Sequence, residues 1–187
     1  TKMQYLILAK LFPCRMTILG DKAQTMDEQI HDVTRFLPKI LGKNIRTIVM
    51  NKSYRNTVEI ARYAESLVGN MGLDLFERHG KPVVERTIYT MDHAMDVILE
   101  NLRLQKDQFE TAAILAMTEK EAKKIYQLLE KRMADEEKYT KLTYVDRDSS
   151  NFKKGITVTT FYLAKGLEFD QVFAVYGQNK EEPIMKQ

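Results

Sequence analysis

Thr157-Val158-Thr159-Thr160-Phe161-Tyr162-Leu163-Ala164-Lys165-Gly166-Leu167-Glu168-Phe169-Asp170-Gln171-Val172-Phe173 is the most informative segment of this chain. β-Branched and aromatic residues dominate both of its ends, the composition of buried strands. A polar turn, Ala164-Lys165-Gly166-Leu167-Glu168, lies between them. The pattern predicts strand, turn and strand, with an exposed glycine, a lysine and a carboxylate at a strand end. In α/β proteins that is where ligands are held. By residue chemistry alone, Lys165 and Glu168 are equally well a solvated pair at a tight turn.

Outward from this stretch, short β-branched runs alternate with segments of helical spacing. Tyr5, Leu6, Leu8, Ala9 and Phe12 predict a helix ended by Pro13, and Met16–Leu19 a buried strand stopped by Gly20-Asp21. Residues 29–37 read as a helix stopped by Pro38, and Thr47–Met50 as the next strand. Asn56 is placed to cap a helix running to about Val68, with Gly69 at its end. Val83–Thr90 alternates like a strand, and Asp92–Leu104 has helical spacing. Thr111–Met117 is a continuous apolar run, the mark of a buried strand. Thr118-Glu119-Lys120-Glu121 forms a capping-box pattern opening a helix that ends near Ala134. Asp135-Glu136-Glu137-Lys138 reads as a solvated helix end. Leu142–Val145, Ile156–Thr160 and Val172–Tyr176 complete the strands, and Gln178–Gln187 is a polar, frayed tail. Such alternation predicts an α/β fold, a mostly parallel sheet with helices on both faces.

Composition narrows the function classes. The 187 residues are 44% hydrophobic and 29% charged, as in ordinary globular proteins. No apolar run approaches the roughly 20 residues of a membrane span, and no secretory leader pattern opens the chain. Cys14 is the only cysteine, so no internal disulfide forms and a reducing, cytoplasmic setting is expected. Beside Pro13 and an apolar run, it reads as a buried, inert thiol. A net charge of +3, from 29 basic and 26 acidic residues, is too small to hold nucleic acid by overall charge. Any such contact must come from a local surface.

Thr157–Phe173 closely resembles the T-x-H-x-A-K-G-L-E-F-x-x-V-F signature of UvrD/Rep-type superfamily 1 helicases. Two further segments extend the likeness. Gly20-Asp21-Lys22-Ala23-Gln24 resembles helicase motif III, G-D-x-x-Q. Asn51-Lys52-Ser53-Tyr54-Arg55-Asn56 resembles motif IV, N-Y-R-S, with two extra residues before the tyrosine. The resemblance implies a RecA-like P-loop NTPase lobe. Residues 1–45 would end a first motor domain, 46–177 form the second, and 178–187 a tail. It further implies ATP with Mg2+ as cofactor, with Gln24 and Arg55 catalytic at the γ-phosphate. Asp21, Tyr54, Gly166 and Glu168 would bind the nucleotide: Tyr54 stacking on adenine, Glu168 accepting from the ribose, Gly166 allowing close backbone approach. Thr160, Tyr162 and Lys165 would contact single-stranded or duplex DNA. A guanidinium fork suits phosphate charge, and an aromatic face suits a base.

The departures from the family pattern are as informative. The phosphate cradle G-x-x-x-x-G-K-[ST] is missing: Gly42-Lys43 is followed by Asn44, and Gly80-Lys81 by Pro82. An Asp-Glu metal pair after an apolar strand is missing too, so no metal ligand is assigned. Thr1-Lys2-Met3-Gln4 resembles the T-x-x-Q that follows that pair in the family, which makes the chain a fragment expected to bind no ATP alone. Where relatives carry base-stacking aromatics, Met26-Asp27-Glu28-Gln29 offers two carboxylates. Stacking is worth roughly 1–3 kcal/mol per base, so the grip on a strand is weakened. Tyr162 replaces the motif V histidine, and no arginine-bearing motif VI follows Tyr176. The connection from Met117 to Ile156 leaves room for one helix and one strand, with no inserted subdomain. The short connection and Tyr162 resemble the HelD-like branch, which implies RNA polymerase as a partner and remodelling rather than unwinding. A degenerate interaction module without a nucleotide role is the third alternative.

Overall fold

The computed structural model describes residues 2–21, 33–42, 44–69, 72–105, 108–134, 141–148 and 154–176. The chain divides into two compact units, Thr1–Val83 and Val84–Gln187. Both mix helices with parallel strands, so the α/β class and the parallel pairing predicted from alternation are present.

The first unit contains helices α1 (Lys2–Leu11) and α2 (Val33–Leu41), strand β1 (Lys52–Ser53), helix α3 (Val58–Val68) and strand β2 (Asp74–Leu75). Pro38 lies inside α2 and does not stop it. A proline there removes one intrahelical hydrogen bond. What carries the helix past it is packing: Phe36 is buried, its ring 5.6 Å from that of Tyr5 on α1. The Lys2 ammonium lies 5.8 Å from the same ring. Helix α3 is capped one residue later than the spacing predicts, by Thr57, whose hydroxyl accepts from the Ile60 N–H at 3.4 Å. Gly69 ends it at φ +88°, a conformation that glycine adopts without strain.

Three predicted strands are not formed. Residues 16–19, 47–50 and 83–90 are irregular and mostly exposed, with Leu19 and Met50 each 85% accessible. An apolar β-branched run becomes a strand only where another strand receives its backbone groups. In the first unit the pairing among the described residues is confined to β1 with β2, starting just beyond 47–50, and residues 84–90 of the second unit join no strand of its sheet. Cys14 is exposed, not buried as its apolar neighbours predict, and the run that follows it at 16–19 is itself exposed.

The second unit runs α4 (Met91–Leu104), β3 (Thr111–Ala116), α5 (Glu119–Met133), β4 (Leu142–Tyr144), β5 (Gly155–Thr160) and β6 (Gln171–Val175). Its sheet has the order β4-β5-β3-β6, every neighbouring pair parallel. Ala112 to Ala116 and Gly155 to Thr160 are buried without interruption, which is why their sequences lack alternation. Ile114, Ala116, Ile156 and Val158 meet Met95, Ile98 and Leu99 of α4 and Ala122, Ile125 and Leu129 of α5 in one core. Each large side chain there contributes about 1.5–3 kcal/mol of burial free energy. The capping box forms as predicted: Thr118 Oγ1 accepts from the Glu121 N–H at 3.2 Å and Glu121 accepts from the Thr118 N–H at 3.0 Å. Arg132 ties α5 to α4 through Asp92 at 2.7 Å and Asp96 at 3.1 Å. These carboxylates raise its already high pKa. No helix among the described residues is long and apolar enough to cross a membrane. Residues 135–138, 149–153 and the tail from 177 lie outside the described part.

Candidate functional site

Four of the predicted site residues, Tyr162, Lys165, Gly166 and Glu168, fall in the turn after β5, and a fifth, Thr160, is the last residue of the strand. The strand is fully buried as far as Thr160, then the chain emerges at the carboxyl end of the sheet. The Phe161 N–H donates to the Ala116 carbonyl at 3.1 Å, holding this exit against the end of β3. Thr160 organises the turn with two acceptors. Its hydroxyl accepts from the Leu163 N–H at 3.2 Å, and its carbonyl from the Ala164 N–H at 2.9 Å. Tyr162 projects with 65% of its surface accessible, and Lys165, Gly166 and Glu168 are exposed. Gly166 has φ +85°, and an added Cβ would meet nothing within 4 Å. The requirement for glycine there is conformational, and it leaves open space over the backbone. Such a surface, with a lysine, a carboxylate and an uncovered peptide, has the chemistry to receive an anionic or hydroxyl-bearing ligand.

Asp170, which residue patterns did not single out, closes the other end of this turn. One carboxylate oxygen accepts from the Glu110 N–H at 3.0 Å, the Thr111 N–H at 2.9 Å and the Thr111 hydroxyl at 2.8 Å. The Asp170 N–H donates back to Thr111 Oγ1 at 3.0 Å. The start of β6 is thereby locked beside the start of β3. A Phe-Asp-Gln sequence between turn and strand is the one local hint of it, and nothing local names Thr111 as the partner.

In the first unit, Tyr54 and Arg55 follow directly on β1. Tyr54 is 62% accessible, its ring 5.6 Å from that of Phe76 at 37° and the Lys52 ammonium 5.6 Å from its centroid. A cation near an aromatic face is attracted by the ring quadrupole. Arg55 is exposed, and its carbonyl accepts from Arg78 Nη1 at 3.2 Å. Phe76 and Arg78 are the residues that the spacing of motifs missed. Asp21 is exposed in an irregular segment. Gln24 and the Met26–Gln29 stretch lie outside the described residues.

The exposed site residues thus fall into two groups, Tyr54 with Arg55 in one unit and Tyr162, Lys165, Gly166 and Glu168 in the other. Among the described residues, no three His, Cys, Asp or Glu side chains are grouped as metal ligands would be. No protein-family model matches the chain, and no curated protein matches it.

Proposed function

We propose that this chain is the second motor lobe of a superfamily 1, UvrD-like DNA helicase or translocase, with a RecA-like fold and a cytoplasmic setting. In that reading it supplies one wall of an ATP–Mg2+ site. The observation that carries the proposal is the exposed 161–168 turn, with its left-handed Gly166, at the carboxyl end of a buried parallel strand. Ligands of open α/β sheets bind at that edge. Glu168 accepts from the ribose and Gly166 admits the nucleotide to the backbone. Tyr54 stacks on the base, and Arg55 with Gln24 senses the γ-phosphate, Asp21 standing beside Gln24 in the same motif. Differential contact with ATP and ADP then drives lobe closure. Tyr162 and Lys165 face the nucleic acid, while Thr160, expected to join them, is buried at the end of β5 and shapes the turn that presents them. The phosphate loop that cradles the β- and γ-phosphates is not among these 187 residues, so a first motor lobe must supply it.

In a polypeptide joining this chain to a first lobe that carries the loop, ATP hydrolysis is expected. Arg55→Ala should remove most of it, and wild-type turnover in that variant would overturn the role of Arg55. A second reading, a HelD-like ATPase that remodels RNA polymerase, draws on the exposed Tyr162 and on the short connection between β3 and β5, where one helix and one strand are described. Strand displacement measured beside RNA polymerase pull-down separates the two. Robust unwinding without polymerase capture rejects the remodelling reading, and the opposite outcome rejects the helicase.

A further inference from the structure

We infer that residues 76–80 are a positioning clasp for Tyr54 and Arg55, with Arg78 at its centre. Its functional meaning rests on the nucleotide reading above, and the clasp itself rests on geometry. Residues 53–59 are held from 76–80 at almost every step. The Phe76 N–H donates to the Ser53 carbonyl at 3.1 Å, and the Phe76 ring lies 5.6 Å from Tyr54. Arg78 Nη1 donates to the Arg55 carbonyl at 3.2 Å, and the Val58 N–H donates to the Arg78 carbonyl at 2.9 Å. Glu59 then engages His79 Nδ1 at 2.9 Å and accepts from the Gly80 N–H at 2.8 Å.

Arg78 takes part through three groups, since its own N–H also donates to the Phe76 carbonyl at 2.7 Å. The approach is close enough to exclude a side chain at the end of the clasp. A Cβ added to Gly80 would come 2.8 Å from Thr57 Cγ2, and a β-branched threonine has little rotamer freedom to yield.

The need for such a device follows from the elements that flank the loop. β1 and β2 are two residues long each, too short to hold an exposed tyrosine and arginine in one orientation. A loop ordered before its ligand arrives avoids the entropy of ordering at binding. Arg78 acts on the backbone of Arg55, so it sets where that residue starts without competing for the ligand. Arg78 is therefore a positioning residue, and Phe76 a buttress for the Tyr54 ring.

Amide 15N relaxation on this chain tests the clasp directly, with circular dichroism as a check on folding. Arg78→Ala should loosen residues 53–56, their order parameters falling from about 0.85 toward 0.6. Arg78→Lys, which keeps a donor, should restore most of the rigidity. Phe76→Leu should loosen Tyr54 more than Arg55, and it serves as the deciding variant if Arg78→Ala fails to fold. In the two-lobe ATPase, Arg78→Ala should lower kcat/KM for ATP about two- to tenfold, the loss of one hydrogen bond, with rescue by lysine. Residues 53–56 as rigid in these variants as in the wild type would overturn the clasp. A rigid loop with lost turnover would also overturn it, by making Arg78 a direct nucleotide contact. If the two-lobe protein does not hydrolyse ATP at all, the nucleotide reading falls while the relaxation data still decide the clasp.

Discussion

The Glu59 carboxylate has its pKa held down at about 2, first by the hydrogen bond with His79 and then by the Gly80 N–H. Both favour the charged form. A depressed carboxylate contributes stability that is present above its ordinary value of 4.5 and disappears as pH falls toward about 2. Protection of the Gly80 amide is therefore expected to be full at neutral pH and to fade between about pH 4.5 and pH 2. In Glu59→Gln the Gly80 amide should lose this acid-dependent step, and hydrogen exchange followed by NMR measures it. An acid step that persists unchanged in the glutamine variant would assign it to another group. The residue scale also shows what kind of information a sequence holds. Thr118 with Glu121 is a pattern three residues long, and its capping box forms as the spacing predicts. The helix cap at Thr57, in contrast, stands one residue beyond Asn56, although both residue types are good caps. Local chemistry allowed either, and the contact between Val58 and Arg78 accompanies the one adopted.

At the scale of elements, Asp170 adds a polar lock between the starts of β3 and β6 to the apolar burial of the sheet. Replacing it with alanine leaves the Glu110 and Thr111 donors to water, which is accessible there. Asp170→Ala is expected to cost about 1–2 kcal/mol, read as a lower urea midpoint at unchanged slope. Asp170→Asn should fall between alanine and wild type, because one acceptor oxygen survives without the charge. An alanine variant with the wild-type midpoint would remove Asp170 from this role. The partner of Asp170 lies 59 positions earlier in the chain, which is why residue patterns missed it. Among the predicted elements that form, which include α1, α3, β4 and β6, the strongest local signals belong to α4, β3, α5 and β5. α4, β3, α5 and β5 combine clear periodicity or continuous apolar runs with caps. The runs at 16–19, 47–50 and 83–90 carry the same β-branched composition and do not form strands. Strand formation is a property of a pair, and a single segment does not encode its partner.

Across the whole chain, burial is unevenly shared. The continuous core of Met95, Ile98, Ile114, Ile125, Leu129, Ile156 and Val158 belongs to the second unit. In the first unit the buried hydrophobic residues are Phe36, Val58 and Ala61 among those described. Few buried contacts mean a small free energy of local opening. Amide exchange should therefore be slowest in β3 and β5 and at least tenfold faster in α1 to α3. Equal protection in both units would show that burial within each unit does not set its stability. The α/β class, the strand–turn–strand of Thr157–Phe173 and the exposure of its polar turn are all legible in the residue order. All three follow from periodicity and turn chemistry, which act over a few residues. The order β4-β5-β3-β6, the lock of Asp170 on Thr111 and the grip of residues 76–80 on Tyr54 and Arg55 emerge only in the folded chain. Those contacts join residues distant in the chain, and their free energy exists only once the chain has brought them together.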